Sequence, residues 1–349
     1  MTISTSETLF DHYDGQPITK FSLTNDNGVT VSAISLGATL YEIKVPTSDD
    51  SDANLVLNYP HAADYLANPF YVSMAIGRTA GRIKDSQLKL GSETFELQPN
   101  EGPTNLHGGP HGFNSQVWDG EITTENNVPV IKFHHVQKEI DDAFPGDLDT
   151  TITYQLTEDN TVKLSFTATA NGHDTVFNPT YHTYFNLGNE SDILNHNLMI
   201  NSDSHLEFDD IKVPTGNLLD NSNTPFDFKE NTKLGDAIKQ MSNTTEKGFD
   251  DIFKVNPADS NEIAVLSDPE TKRSVSIRSS RNGLVVFTAN SFTKENMNFI
   301  KTNGVGKPYE GVALEAQTLP DSTRLPQFGD VILKDGQTRT EEIDYHLSF

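Results

Sequence analysis

Thr151-Ile152-Thr153-Tyr154-Gln155-Leu156, answered by Val162-Lys163-Leu164-Ser165-Phe166, alternates apolar and polar residues on both sides of Glu158-Asp159-Asn160. Period-two alternation puts Ile152, Tyr154 and Leu156 on one face of a strand, and Val162, Leu164 and Phe166 on one face of the next. With a polar turn between them, the two runs read as a hairpin. The same texture recurs at 29–36, 130–136, 263–266, 274–277, 284–289, 312–317 and 331–333, and 341–349 reads as a closing strand. Asn25-Asp26-Asn27-Gly28, Asp268-Pro269-Glu270 and Lys334-Asp335-Gly336 are turn clusters between such runs. Only 62–66 and 234–241 carry a short, weak helical spacing. Many short strands with few short helices predict an all-β sandwich or barrel rather than alternating βαβ units. No internal repeat of 20–50 residues interrupts the pattern. Residues 214–243 are polar and rich in Asn, Asp and Lys, yet the strand texture resumes unchanged after them. They read as an excursion within one domain covering 1–349.

Composition narrows the chemistry. The 349 residues hold 25 Lys+Arg against 50 Asp+Glu, a formal charge of −25, with 11 His and no Cys. Without cysteine there is no disulfide scaffold, thiolate nucleophile, zinc ribbon or Cys-ligated cluster. The acidic balance argues against nucleic acid, where Lys and Arg must neutralise phosphates, and against anionic membranes. The N-terminus MTISTSETLF lacks the basic and apolar regions of a signal peptide, and no stretch reaches membrane-span length. A cytoplasmic protein is the expectation.

Several local patterns offer chemistry beside an ordinary structural use. Asn105-Leu106-His107-Gly108-Gly109-Pro110 is a glycine-rich loop that presents a histidine, or a tight turn with an incidental one. Residues 178–187, NPTYHTYFNL, read as a strand with Thr180, His182 and Tyr184 on one face. That face suits a pocket wall, or a core histidine satisfied by a neighbour. In Gly311-Val312-Ala313-Leu314-Glu315-Ala316-Gln317, Glu315 stands among small residues. If it faces a cavity its pKa should rise by desolvation; otherwise the face lies in water. Gly77-Arg78-Thr79-Ala80-Gly81-Arg82 carries two guanidiniums, and Gly248-Phe249-Asp250-Asp251 two acids beside an aromatic. Phosphate-loop, dinucleotide, nucleophile-elbow and His-Glu-x-x-His motifs are absent. His134 and His135 adjoin on a strand and so face opposite sides.

Taken in order, Gly-Arg-x-Ala-Gly-Arg, Asn-Leu-His-Gly-Gly with its Asn displaced by one residue, His-x-Tyr-Phe-Asn-Leu, Gly-Phe-Asp and Leu-Glu-x-Gln make the chain resemble the aldose 1-epimerases, or galactose mutarotases. The motifs run from Arg78 to Gln317. The resemblance implies a large antiparallel β-sandwich of the galactose mutarotase type with an open sugar cleft. It also implies interconversion of the α and β anomers of free aldohexoses such as glucose and galactose. Glu315 then matches the general base and His182 the general acid, with Glu315 expected ionised and His182 protonated. His107, Arg82 and Asp250 match sugar-binding positions, and Asn105 and Gln317 fall within the same motifs. No metal and no cofactor are implied. The expected partner is a sugar alone, with neither nucleic acid nor membrane, for a monomer or homodimer. A maltose-preferring epimerase, a hexose-6-phosphate epimerase and a non-catalytic sugar-binding module are the alternatives. The phosphosugar reading needs a cationic clamp, and only Arg78, Arg82 and Lys84 accompany the motifs.

Overall fold

The computed structural model describes residues 3–49, 51–257, 260–292, 297–301 and 306–349. The hairpin forms as the alternation predicts: Asp147–Leu156 pairs antiparallel with Thr161–Asn171, placing Ile152 opposite Phe166, Tyr154 opposite Leu164 and Leu156 opposite Val162. The closing strand Thr338–Ser348 lies beside it, with Ile343 opposite Leu164. These three belong to a nine-stranded sheet that runs from Asp119–Glu125 at one edge to Thr232–Lys233 at the other.

A six-stranded antiparallel sheet faces it, in the order Tyr184–Phe185, Val312–Gln317, Gly283–Phe287, Asp250–Val255, Ser202–Phe208, Pro214–Asp220. One core joins the two sheets: Val312, Leu314, Ala316, Leu284 and Val286 pack in the same cluster as Ile152, Leu164, Ile277, Ile343 and Tyr345. The sandwich is therefore built from the inward residues of both sheets. A five-stranded antiparallel sheet of N-terminal strands, Ser4–Tyr13 to Asp52–Asn54, adds Leu23, Val31 and Leu40 to that core.

Both helical readings hold, as Ala62–Leu66 and Leu234–Gln240, and a third short helix, Glu139–Asp142, carried no sequence signal. Residues 214–243 are no linker. Pro214–Asp220 forms the edge of the six-stranded sheet and Thr232–Lys233 the edge of the nine-stranded one, with Phe228 buried in the core between. No helix of the described residues is long and apolar enough to cross a membrane.

The single strand read at 178–187 is corrected. Thr180–Tyr181 pairs with Ala75–Ile76, whereas Tyr184–Phe185 pairs with the Glu315 strand. The segment changes partner at His182 and Thr183. There the His182 N–H donates to the Met74 carbonyl (3.1 Å) and its carbonyl accepts from Ser73 (2.9 Å).

Candidate active site

The outer face of the six-stranded sheet is the floor of a cleft of about 280 Å³, near the lower end of the usual range for ligand pockets. Alternation decides who lines it. Leu314, Leu284, Val286 and Phe253 turn to the core, while Glu315, Val285, Phe287, Asp250 and Ile252 turn outward. Register then gathers them, since Glu315 lies opposite Val285 and Phe287 opposite Asp250. Glu315 is only 1 % exposed, so the reading of its strand face as open to water is excluded.

The walls come from segments 69–82 and 100–107. His107, Gly108 and Gly109 all have positive φ (55°, 87° and 82°). A Cβ on Gly108 would sit 2.0 Å from the Gly77 carbonyl oxygen, so glycine allows the loop to press onto the Arg-bearing segment. The two segments are then locked reciprocally. His107 N–H donates to the Gly81 carbonyl (3.0 Å), and Gly81 N–H donates to His107 Nδ1 (3.2 Å). Nδ1 is thus an acceptor. Burial, with the nearby His182 and Arg82, holds the ring well below the usual histidine pKa. A neutral ring with Nδ1 accepting carries its proton on Nε2, which makes His107 a hydrogen-bond donor to a ligand.

His182 Nε2 lies 3.4 Å from Glu315 Oε1. The imidazole stacks on Tyr184 (5.0 Å between centroids, 30°) and on Tyr71 (5.9 Å, 29°), and meets His107 edge-on (5.5 Å). Burial pushes His182 down to about 3. Burial also pushes Glu315 well above the usual carboxylate range, with the Asp250 charge adding to this and Arg82 opposing it. Burial thus pushes both groups toward their neutral forms. Both shifts run against the expected ionised Glu315 and protonated His182, because desolvation disfavours each charged form.

Arg82 reaches the cleft and is clamped by Glu101, with Nη2 2.8 Å from Oε1 and Nε on the other oxygen. Asp250 and Glu101 line the same space. Five of the seven sequence-named residues, Glu315, His182, His107, Arg82 and Asp250, thus share one cleft. Asn105 and Gln317 lie outside its lining. Asn105 is buried under the His107 loop and donates to the Gln98 carbonyl (2.8 Å), and Gln317 is wholly buried. Arg78 is also elsewhere: fully buried, it binds Asp142 through Nε (2.7 Å) and Nη2 (3.0 Å) and donates to the Gly146 carbonyl.

Sequence reading missed Tyr71, Glu101 and the lining aromatics Phe70, Phe208 and Phe287. For Phe287 a signal exists, since it alternates with Val285. Tyr71, at φ 49°, has none, because its place depends on contacts with two other segments.

Ligand atoms of His107, His182 and Glu315 lie within 4.8 Å of one another, close enough to surround a metal ion. The hydrogen bonds fit a metal poorly. Coordination through His107 Nε2 would move its proton to Nδ1, directly against the Gly81 N–H.

Comparison with known proteins agrees with this geometry. The profile described as aldose 1-epimerase matches residues 19–346. A protein of Levilactobacillus brevis named maltose epimerase is 38% identical over 334 residues, covering 95% of this chain and 96% of its own. An aldose 1-epimerase of Streptococcus thermophilus is 37% identical over 336 residues, covering 95% of each. Among solved structures, galactose 1-epimerase from Lactobacillus acidophilus superposes with a TM-score of 0.84 at 26% identity, covering 99% of both chains.

Proposed function

The chain belongs to the aldose 1-epimerase family and is an isomerase; from that premise we propose that Glu315 and His182 interconvert the α and β anomers of glucose and galactose by opening and closing the sugar ring. The observation that carries this reading is the 3.4 Å contact between Glu315 Oε1 and His182 Nε2 at the floor of the cleft. The two sugar oxygens that exchange protons, the C1 hydroxyl and the ring oxygen, are bonded to one carbon. An acid and a base must therefore sit side by side, sharing one proton between them.

Sugar entry brings hydroxyl donors to the carboxylate, and the shared proton passes from Glu315 to His182. Glu315 then removes the C1 hydroxyl proton while His182 protonates the ring oxygen and the C1–O5 bond breaks. The C1 aldehyde rotates about C1–C2. Closure on its other face returns both protons. His107, through Nε2–H, and Arg82 donate to sugar oxygens, and Asp250 accepts from sugar hydroxyls. Glu101 fixes the Arg82 fork, and Tyr71 and Tyr184 hold the His182 ring. No step calls for a metal or cofactor. A cytoplasmic site of action and a monomer or homodimer belong to the same reading.

A second reading, preference for maltose, is favoured by the name of the 38% identical relative and by Phe70, Phe208 and Phe287, which line the cleft with Glu315 and His182. A non-catalytic sugar-binding module is disfavoured because both proton-transfer groups are present. Polarimetry of freshly dissolved α-glucose, α-galactose and maltose, with and without protein, decides. Faster mutarotation of the monosaccharides supports the first reading, a marked preference for maltose the second, and no acceleration of any sugar the module.

A further inference from the structure

A second pocket opens away from the cleft lining, between residues 47–49 and 51–54, the turn at Gly188 and Asn189, and the side chains of Arg273 and Lys301. Arg273 is 7 % exposed. Its Nη1 donates to the Leu187 carbonyl (3.0 Å) and to Asn189 Oδ1 (3.2 Å). Lys301 Nζ donates to the carbonyls of Asn54 (3.0 Å) and Asn186. Among the described residues, neither cation forms a salt bridge, in a protein with twice as many acids as bases. The nearby carboxylates Asp49 and Asp268 act on Arg273 through their charges but take their hydrogen bonds from other partners. Asp49 Oδ1 accepts from the hydroxyl (2.7 Å) and N–H (3.3 Å) of Ser51 and from Thr47. Asp268 Oδ2 accepts from the Thr271 hydroxyl (2.7 Å) and N–H (2.9 Å). Asp52 is exposed at the pocket edge.

Arg273 and Lys301 repel each other; among the described carboxylates Asp268 attracts both and Asp49 attracts Arg273, and an anion placed between the two cations removes the repulsion that remains. Donors remain for it: the Arg273 bonds use only Nη1, and Lys301 has a third proton beyond its two carbonyl acceptors. We propose that this pocket binds a small tetrahedral oxyanion of the phosphate class, free or as the phosphate of a sugar phosphate, between Arg273 and Lys301. The site is independent of the sugar reading of the cleft. The carbonyls that these side chains hold, at Asn186 and Leu187, directly follow the Tyr184–Phe185 strand of the cleft-bearing sheet.

Burial, with the Arg273 charge beside it and Asp268 opposing, brings Lys301 down to about 7. The groups around it are Arg273, Asp268, His196 and, across the pocket, Asp49 and Asp52. Burial holds His196 down to about 4, so it stays neutral between pH 6 and 8.5. Sulfate is the probe, because it does not titrate in that range. Calorimetric titration of the full chain at fixed ionic strength should find one site. Its affinity should fall about 30-fold from pH 6 to 8.5 as Lys301 loses its proton. Lys301→Met and Arg273→Gln should each weaken binding at least roughly tenfold at pH 6. Lys301→Arg keeps the charge, so it should bind sulfate with the pH dependence removed, and it decides the matter if Lys301→Met does not fold. Inorganic phosphate and glucose 6-phosphate, titrated with the cleft saturated by galactose, separate the sources. Binding of both identifies a phosphate-group site, and binding of inorganic phosphate alone a free-ion site. Absence of saturable sulfate binding at pH 6 overturns the proposal. So does binding that survives Lys301→Met but is lost in Arg82→Ala, which would place the anion in the cleft.

Discussion

Glu315 and His182 illustrate how one buried pair serves chemistry at the expense of stability. Glu315→Gln keeps the shape but cannot accept a proton, and His182→Asn removes the donor. Each should lower kcat at least roughly 10²-fold with sugar binding retained. The double variant should lose far less than the product, since the two act in one proton cycle. Polarimetry gives the rates, calorimetry the sugar affinity and circular dichroism the fold. A folded, sugar-binding Glu315→Gln protein with near wild-type kcat would refute the assignment. The same residues predict opposite effects on stability. Burial raises Glu315 above its unfolded value, so its contribution is fully present below about pH 4.5 and is lost as pH rises toward the folded pKa. Glu315→Gln escapes that loss and should be more stable than wild type at pH 8, by a margin that shrinks toward pH 4.5. His182, lowered to about 3, contributes stability above about pH 6.5 that disappears as pH falls toward 3. The stability of His182→Asn should therefore fall less steeply than wild type across that window in urea titrations. Arg82→Ala and Asp250→Asn belong to another class: they should raise KM and, by misplacing C1, lower kcat by up to about 10²-fold.

At the scale of the element, glycines with positive φ differ in substitution cost according to what an added methyl would meet. Gly108→Ala adds a methyl 2.0 Å from the Gly77 carbonyl oxygen at φ +87°, so it should cost about 2 kcal/mol or more and shift His107, lowering kcat with it. Gly91→Ala, in the turn between Gln87–Leu90 and Glu93–Glu96, also has positive φ (+60°) but nothing within 4 Å of the new methyl, so it should cost only about 1 kcal/mol and leave kcat unchanged. Thermal unfolding and polarimetry on the two variants test the contrast. Elements of this kind separate what the sequence could tell from what it could not. The hairpin at 147–171 was legible in its strands and inward faces, but not in its facing pairs, because a slip of two residues buries the same side chains. Glu315 was legible as an anomaly among small residues, although alternation alone could not say whether its face met water or a cleft. Segment 178–187 was misread as one strand because its change of partner is set by Met74 and by the strand of Ala313, which are remote in sequence. Tyr71 and Glu101 were invisible for the same reason, since each acts through a side chain on another segment. Asn105 and Gln317 show the converse: adjacency to a cleft residue within a motif does not place a side chain in the cleft.

At the scale of the whole molecule, the reading of 1–349 as one domain becomes a proposal about cooperativity. The nine-stranded and six-stranded sheets share one cluster of buried side chains, from Ile152 and Phe166 on one side to Leu314 and Val286 on the other. Residues 214–233 add a covalent and packed link between the edges of both sheets. Neither sheet keeps a covered apolar face without the other, so exposing one exposes both. The chain should then unfold in a single transition, with fluorescence of Trp118 and far-UV circular dichroism coincident. Galactose makes the test sharper. Its cleft is floored by the six-stranded sheet alone, whereas Trp118 packs on Phe113 and Gly120 lies against Phe133 at the edge of the nine-stranded sheet. If the two sheets unfold as one, galactose at 100 times its Kd should stabilise both signals equally, by about 2.7 kcal/mol. A shift of the circular dichroism transition that leaves the Trp118 transition in place would mean that the region around Trp118 unfolds independently of the cleft, and the one-domain reading would be abandoned.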